Sequence, residues 1–347
     1  MRLPVALLLA VLLAPSLDAF PPLGIIDFYG LRTVGEAQVL QGLPYHLGDK
    51  IDIDQFKSQK HAVEQKLASI PGVVEAHLTL VCCNLVGDGG SERKSILYVG
   101  IEENGSRCPE FQPIPTGSVK LTADVLTAGD AYEIASQKAI LAGNFTEDDS
   151  QGHSLASDPT ERAIQLKFLQ LADVHLANLK DVLHNSSDSH QRAIAAQVLG
   201  YVKDKQAIVP DLVAAMRDPD PDVRNNASRA LLVFADFSPK APTPKINVPA
   251  EPFIQMLNSC VWSDRNKSSG ALARLSEKRD PALLAELRKQ ALPALIEMAR
   301  WKSSGHALSS LQILGRIGGL SDDAIQKRIT QGDRASIIAA AREAASR

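Results

Sequence analysis

VPDLVAAMRDPDPDVRNNASRALL, residues 209–232, carries two apolar stripes that an isolated pair of helices cannot bury. Leu212, Val213 and Met216 recur at helical spacing in its first half, and Val223, Ala227, Ala230 and Leu231 in its second. Between them Asp218-Pro219-Asp220-Pro221 ends one helix and starts the next. Asp220 is placed to cap orphan N–H groups, and Pro221 suits the first helical position, where its missing donor costs nothing. Arg229 falls on the more polar side of the second helix. A helix, turn, helix unit with two such stripes has to stack on neighbours, so a helical solenoid is the expected architecture.

The pattern returns on both sides. QRAIAAQVLGYV from Gln191 matches VRNNASRALLVF from Val223, and VPDLVAAMR from Val209 matches LPALIEMAR from Leu292. VLGYV at Val198 reappears as ILGRI at Ile313, and RNKSSGAL from Arg265 echoes RNNASRAL from Arg224, within a more divergent unit at residues 253–275. The spacings amount to one, two or three periods of about 32 to 42 residues. Upstream, helices are expected over residues 122–141 and, opened by Asp158-Pro159, as one long helix to about His184 with Ile164, Phe168, Leu171, Leu179 and Val182 on one face. The proline-rich FSPKAPTPKINVPAEP, residues 237–252, interrupts the array as a rim loop or a binding loop.

With Pro210 early in its first helix, Asp218 at the turn and Val223-Arg224 opening the second helix, the unit resembles HEAT repeats. The resemblance implies a polar ladder between stacked units that includes Asp218 and Arg224. Arg192 holds the same place in the copy ending at Leu199, where Ser186 stands at the acidic turn position. Stacked repeats present long concave surfaces, which points to a protein or peptide partner.

Residues 25–103 follow a different pattern. IIDFYGLRTV reads as a strand closing on Gly30, residues 34–40 as a short helix, and residues 54–69 as a longer helix with Phe56, Val63 and Leu67 on its apolar side, stopped by Ile70-Pro71-Gly72. In residues 73–83, Val74, Ala76, Leu78, Leu80 and Cys82 alternate with Glu75, His77, Thr79 and Cys83, which is the signature of a sheet with one buried face. Residues 96–101 return with Leu97, Val99 and Ile101 inward. This β-α-α-β-β order, with FYGLRTVGEAQV, LGDKID and LASIPGVVEAHL, resembles POTRA domains of exported bacterial proteins. The resemblance implies a protein-binding module that often accepts a partner strand at its sheet edge.

The expected fold class is therefore mainly α, a HEAT-like α-solenoid preceded by a small α+β domain. The domains are a signal peptide at 1–19, a POTRA-like domain at 20–110, a proline-rich linker at 111–118 and the helical repeats at 119–347. Apolar periodicity breaks across the linker, so the two folded modules are expected to fold independently. Arg2, the apolar run at residues 5–13 and Leu17-Asp18-Ala19 supply the parts of a secretory signal peptide, placing the mature start at Phe20. The expected protein is soluble and exported, periplasmic or extracellular, with no integral membrane span and a possible place in an envelope complex. Its formal net charge of −3 argues against nucleic acid as a partner, and only 5% of its residues are aromatic.

No catalytic constellation or cofactor motif emerges. HExxH, GxSxG, Walker loops and CxxC pairs are absent, and none of the eight histidines precedes a glutamate, which removes the His-Glu iron ligands of enzymes built on this scaffold. The alternative to an interaction scaffold is a hydrolase or metal-dependent enzyme on the helical array, for which Glu147, Asp148, Asp149 and His153 are the candidates, since carboxylates suit a hard cation. A solvated acidic turn is the plainer reading, and His175 reads as a satisfied core histidine. The sequons at Asn104, Asn144, Asn185, Asn226 and Asn266 would matter only in a eukaryotic secretory pathway. Among the cysteines, Cys82 and Cys260 read as small buried hydrophobes. A Cys83–Cys108 bond is disfavoured, because five residues past Glu103 reach about 17 Å where retracing the strand needs roughly 27 Å.

Overall fold

The computed structural model describes residues 20–84, 93–106, 108–144, 146–241 and 245–346. The expected signal peptide, most of the loop between the second and third strands, and residues 242–244 of the proline-rich segment lie outside them.

The N-terminal module runs β1 (Leu23–Tyr29), α1 (Glu36–Gly42), α2 (Ile53–Ala68), β2 (Val73–Asn84) and β3 (Lys94–Glu103). Its sheet has the order β1-β3-β2, with β1 parallel and β2 antiparallel to the central strand. β1 stops at Gly30 in the left-handed region (φ 83°), where a Cβ would meet the Ile101 carbonyl oxygen, so only glycine fits. α1 begins two residues later than its apolar pattern indicates. The buried Glu103 carboxylate accepts the backbone N–H groups of Arg32 (2.6 Å), Thr33 (2.9 Å) and Val34 (3.1 Å) and the Thr33 hydroxyl, and this clamp holds GLRTV out of the helix. Burial pushes the Glu103 carboxyl up, but those hydrogen bonds outweigh it and hold its pKa at about 2.

One face of the sheet covers α1 and α2, where Leu97, Val99 and Ile101 pack with Val39, Phe56, Val63 and Leu67. The expectation of a single buried face fails at β3, which is buried on both. Ile96 and Tyr98, with Tyr29 of β1, belong to the apolar core of the helical array. The two modules therefore share a core, which overturns the expectation that each side has only its own.

The array consists of α3 (Ala123–Ala142), a small hairpin β4 (Glu147–Asp148) and β5 (Leu155–Ala156), then α4 (Pro159–Val174), α5 (Leu176–Asn185), α6 (Ser189–Leu199), α7 (Lys205–Ala215), α8 (Pro221–Phe237), α9 (Glu251–Met256), α10 (Trp262–Leu275), α11 (Pro281–Gln290), α12 (Leu292–Met298), α13 (Ser304–Ile317), α14 (Asp322–Thr330) and α15 (Arg334–Ser346). Asp220 caps α8 through the N–H groups of Asp222 and Val223, and Asp158 caps α4 in the same way. α5/α6, α7/α8, α9/α10, α12/α13 and α14/α15 form pairs, while α6, α8, α10, α13 and α15 stack in succession. Leu212, Met216, Val223, Ala227 and Leu231 are buried in the stack, and Val213 is half-buried.

Two expectations change. The long helix from Pro159 is broken at His175 (φ −105°, ψ 17°), so that α4 packs on α3 and α5 on α6. The His175 ring faces the Asp124 carboxylate at 2.9 Å, a partnered histidine at the bend. The helix in the quoted unit starts at Lys205, capped by Asp204, which leaves Pro210 inside it rather than near its start. The linker is also no free spacer. Gln112 N–H donates to the Arg217 carbonyl (2.7 Å), Gly117 N–H to the Asn185 carbonyl (2.9 Å), and the Phe111 ring lies 3.8 Å from the Arg224 guanidinium, strapping this segment along the array.

Candidate functional site: the ladder and the seam between sheet and array

The array's polar interior is a chain of arginines. Arg192 donates to both Asp218 oxygens (2.8 and 2.9 Å), Arg224 to both Asp264 oxygens (3.1 Å each), and Arg265 to Glu297 Oε2 (2.5 Å). Each guanidinium also ties its own turn. Arg192 donates to the Ser186 carbonyl (2.9 Å), Arg224 to the Asp218 carbonyl (2.8 Å) and Arg265 to the Ser259 carbonyl (2.5 Å). The structure thus brings Arg192 and Asp218 together, while Arg224 meets the backbone rather than the carboxylate of Asp218 and reaches on to Asp264. Arg192 and Arg224 are each 1% exposed, and every guanidinium nitrogen of both has an acceptor, which offsets the cost of burying the charges. Ser186 supplies the carbonyl that matters, and the missing acidic side chain there does not break the ladder.

Asp264, Arg265 and Glu297 escaped the reading of the sequence. The echo of RNNASRAL in RNKSSGAL sets Arg265 at the place of Arg224, and this was the available signal. In LPALIEMARW the residue matching Asp218 is Trp301, so the ladder has no further carboxylate at the turn. The sheet takes its place: Glu297 Oε1 accepts the Gly30 N–H (2.6 Å).

Around this junction the chain concentrates its scarce aromatics. Tyr98 stacks on Trp262 (5.3 Å, 20°) and packs against Trp301 (5.1 Å) and His306 (5.6 Å), while Tyr29 lies 5.8 Å from Trp301 and beneath the Arg265 guanidinium at 4.6 Å. Tyr29 donates its hydroxyl proton to the Cys260 carbonyl (2.9 Å), and Tyr98 bonds His306 Nδ1 (2.7 Å). At Gly100 a Cβ would sit 2.0 Å from the Cys260 carbonyl oxygen, so the absence of a side chain lets the α9–α10 turn reach the strand. Burial, with Lys267 nearby, lowers the His306 pKa to about 4. Asp27 accepts the Lys302 N–H (2.6 Å), and Lys302 Nζ donates to the Ile26 carbonyl (2.6 Å), beside an open cleft of about 630 Å³ lined by Phe28, Glu36, Arg300 and Arg342.

A side-chain cluster of a different character sits on the same seam. Donor atoms of Glu75, His77 and Cys260 lie within 4.8 Å of one another, as do those of Glu102, Cys108 and Cys260. Cys260 is buried, its thiol donates to Glu102 Oε2 (3.8 Å), and His77 Nε2 is 3.2 Å from Glu75 Oε1. The two sulfurs lie within 4.8 Å of each other, and the interaction between the thiols lowers the Cys108 pKa and, with burial, pushes that of Cys260 up. Cys260 is thus more than a small hydrophobe. Cys82 is half-buried and disulfide-bonded, Cys108 and Cys260 are free, and the Cys83 side chain lies outside the described residues.

The acidic turn does not assemble as a cation site. Glu147 pairs with Arg229, Asp148 accepts the Ser150 N–H (2.9 Å), Asp149 accepts the Ser154 hydroxyl (2.5 Å), and the His153 ring packs on Tyr201 (5.8 Å). Arg229, expected on a polar face, is half-buried and also donates to the Tyr132 hydroxyl (3.0 Å), because α3 and β4 cover that side of α8. On the neighbouring α10, burial and the Arg229 charge hold the Lys267 pKa at about 8.

Among the described residues no helix is long and apolar enough to cross a membrane. No curated protein matches the chain. Residues 176–243, which span α5 to α8 and hold the first rung of the ladder, match the family model of HEAT repeats, and this part of the array is made of HEAT repeats.

Proposed function

We propose that this chain is a non-catalytic, exported scaffold that binds polypeptide partners on its helical array, with a POTRA-like N-terminal module as a second contact surface. The observation that carries the reading is the HEAT-type stack itself, held in register by a buried ladder of arginine–carboxylate pairs. A stack of this kind is a rigid extended surface, and its arginines are spent on cohesion rather than chemistry. The acidic turn, the best enzymatic candidate, is spent likewise on Arg229, Ser150 and Ser154. Ile134 and Leu166, both more than half or about half exposed on α3 and α4, give the array an apolar contact surface for a partner.

Export rests on the leader-like pattern of residues 1–19, and a POTRA-like module on the β-α-α-β-β order with the sheet order β1-β3-β2. We place the modules at 20–110 and 119–347, joined by the strap at 111–118, and the partner in an envelope complex. With Lys302 against β1, β2 is the other sheet edge open to a partner strand, which would have to displace Glu64 from the Leu78 N–H (2.8 Å). The test is cell fractionation with crosslinking of the exported chain. A crosslinked polypeptide lost from Ile134→Asp or Leu166→Asp, with melting unchanged, is the expected result. Retention of the chain in the cytoplasm, or partners indifferent to every array variant, contradicts the reading.

A further inference from the structure

We propose that Cys108, Cys260, Glu102 and His77 form a site for a thiophilic divalent cation of the zinc class, pinning the sheet to the array. The cluster joins β2, β3, the segment just before the linker and the α9–α10 turn. Cys260 belongs to both triads of donors lying within 4.8 Å, and is therefore the common corner. Two thiolates in a tetrahedral zinc site stand about 3.8 Å apart, given Zn–S bonds of about 2.3 Å. The Cys108 and Cys260 sulfurs lie within 4.8 Å of each other, so side-chain rotation brings them to that spacing. Glu102 supplies an oxygen against Cys260 (3.8 Å). His77 has a ring nitrogen within 4.8 Å of the shared Cys260 sulfur and supplies the fourth ligand, and Glu75, 3.2 Å from Nε2, is the neighbouring carboxylate that orients the ring, as outer carboxylates orient metal-bound imidazoles.

A second observation points independently to a cation. Glu75 and Glu102 are direct cross-strand partners in the β2–β3 register, and like charges placed opposite each other destabilise a sheet. The same face of the sheet presents His77 opposite Gly100, the residue whose missing side chain admits the Cys260 turn. The site thus forms only when the sheet is docked. The mixed set of two sulfurs, one nitrogen and one oxygen selects a thiophilic ion over calcium or magnesium, which take oxygen cages.

The experiment uses the full chain purified under reducing conditions, stripped with chelator and titrated with Co²⁺ and then Zn²⁺. The expected result is one Co²⁺ per chain with a thiolate-to-cobalt charge-transfer band, bleached by stoichiometric Zn²⁺, and a melting temperature raised by zinc through mass action. Cys108→Ser, on the linker, removes most of the band while circular dichroism stays unchanged. His77→Ala weakens cobalt binding by at least about tenfold and alters its d–d envelope, whereas Glu75→Gln weakens it by about tenfold, as outer-sphere partners do. Absence of the band from protein in which mass spectrometry shows Cys108 and Cys260 both reduced overturns the proposal. A Cys108–Cys260 disulfide found by mass spectrometry in chain isolated from its native compartment also overturns it.

Discussion

Two joints hold this molecule together, and they are built on opposite principles. Between repeats, contact runs through buried arginines at equivalent positions, each paired with a carboxylate one unit further on. Between the array and the sheet, contact runs through Tyr29, Tyr98, Trp262 and Trp301, with individual hydrogen bonds around them such as Gly30 N–H to Glu297 and Lys302 N–H to Asp27. The first joint is periodic because it must recur at every step. The second occurs once, so it uses large rings whose fit is particular to the place. A charge ladder fixes register, since a slipped unit leaves an ion unpaired in the core, whereas an aromatic joint supplies apolar area without dictating what comes next.

Removing one side of a rung should hurt most. Arg224→Ala leaves Asp264 buried and uncompensated and is expected to cost about 3–5 kcal/mol, whereas the double variant Arg224→Met with Asp264→Leu should recover most of the loss. Chemical denaturation of the cycle checks this, and equal losses in single and double variants would break the distinction between the joints. At the aromatic joint, Tyr98→Ala should cost roughly 3–5 kcal/mol through the lost ring and the cavity it leaves. Residues 20–110 expressed alone should then bind a hydrophobic dye and melt without a sharp transition. Cooperative melting of that fragment would show that the shared core is dispensable.

Intermediate effects separate burial from charge. Arg229→Ala, which strips Glu147 and the Tyr132 hydroxyl of their partner, is expected to cost about 1–3 kcal/mol by equilibrium unfolding. The aromatic joint should also respond to acid. His306 titrates at about 4 when folded against its ordinary 6.5, so the unfolded chain binds the extra proton between those values. Stability from this group is full above pH 6.5 and declines as pH falls towards 4, by about 1–2 kcal/mol after allowance for solvent at its half-buried ring. His306→Gln should flatten that part of the profile of melting temperature against pH. The smallest effect belongs to the helix cap, with Asp220→Ala costing about 1 kcal/mol in the same assay.

The two joints also differ in how far the sequence discloses them. Caps and periods are local, so Asp220-Pro221 and Asp158-Pro159 announce helix starts, and the alternation around Leu78 and Val99 announces a sheet. The ladder is half legible, because Arg192 and Arg224 occupy a repeated position, while Asp264 and Glu297 answer them from units whose turns lack the expected acid. Nothing local marks Tyr29 or Tyr98 as seam residues. In strands that alternate, their side of the sheet reads as solvent, and only the docking of Trp262 and Trp301 from distant repeats covers it. The meeting of Cys108 with Cys260 is equally hidden, since it depends on the same docking.

The contacts of Lys302 with Ile26 and Asp27 span 276 and 275 positions of sequence. A chain made from its N-terminus forms the sheet first and then has to wait for nearly the whole polypeptide before α12 and α13 exist to cover it. During that wait Tyr29, Ile96 and Tyr98 form a naked apolar strip beside two open strand edges, a hazard for premature association. Closure of so distant a contact is slow, and the kinetic burden of this fold therefore falls on its first hundred residues, which are the earliest to appear and the last to find their place.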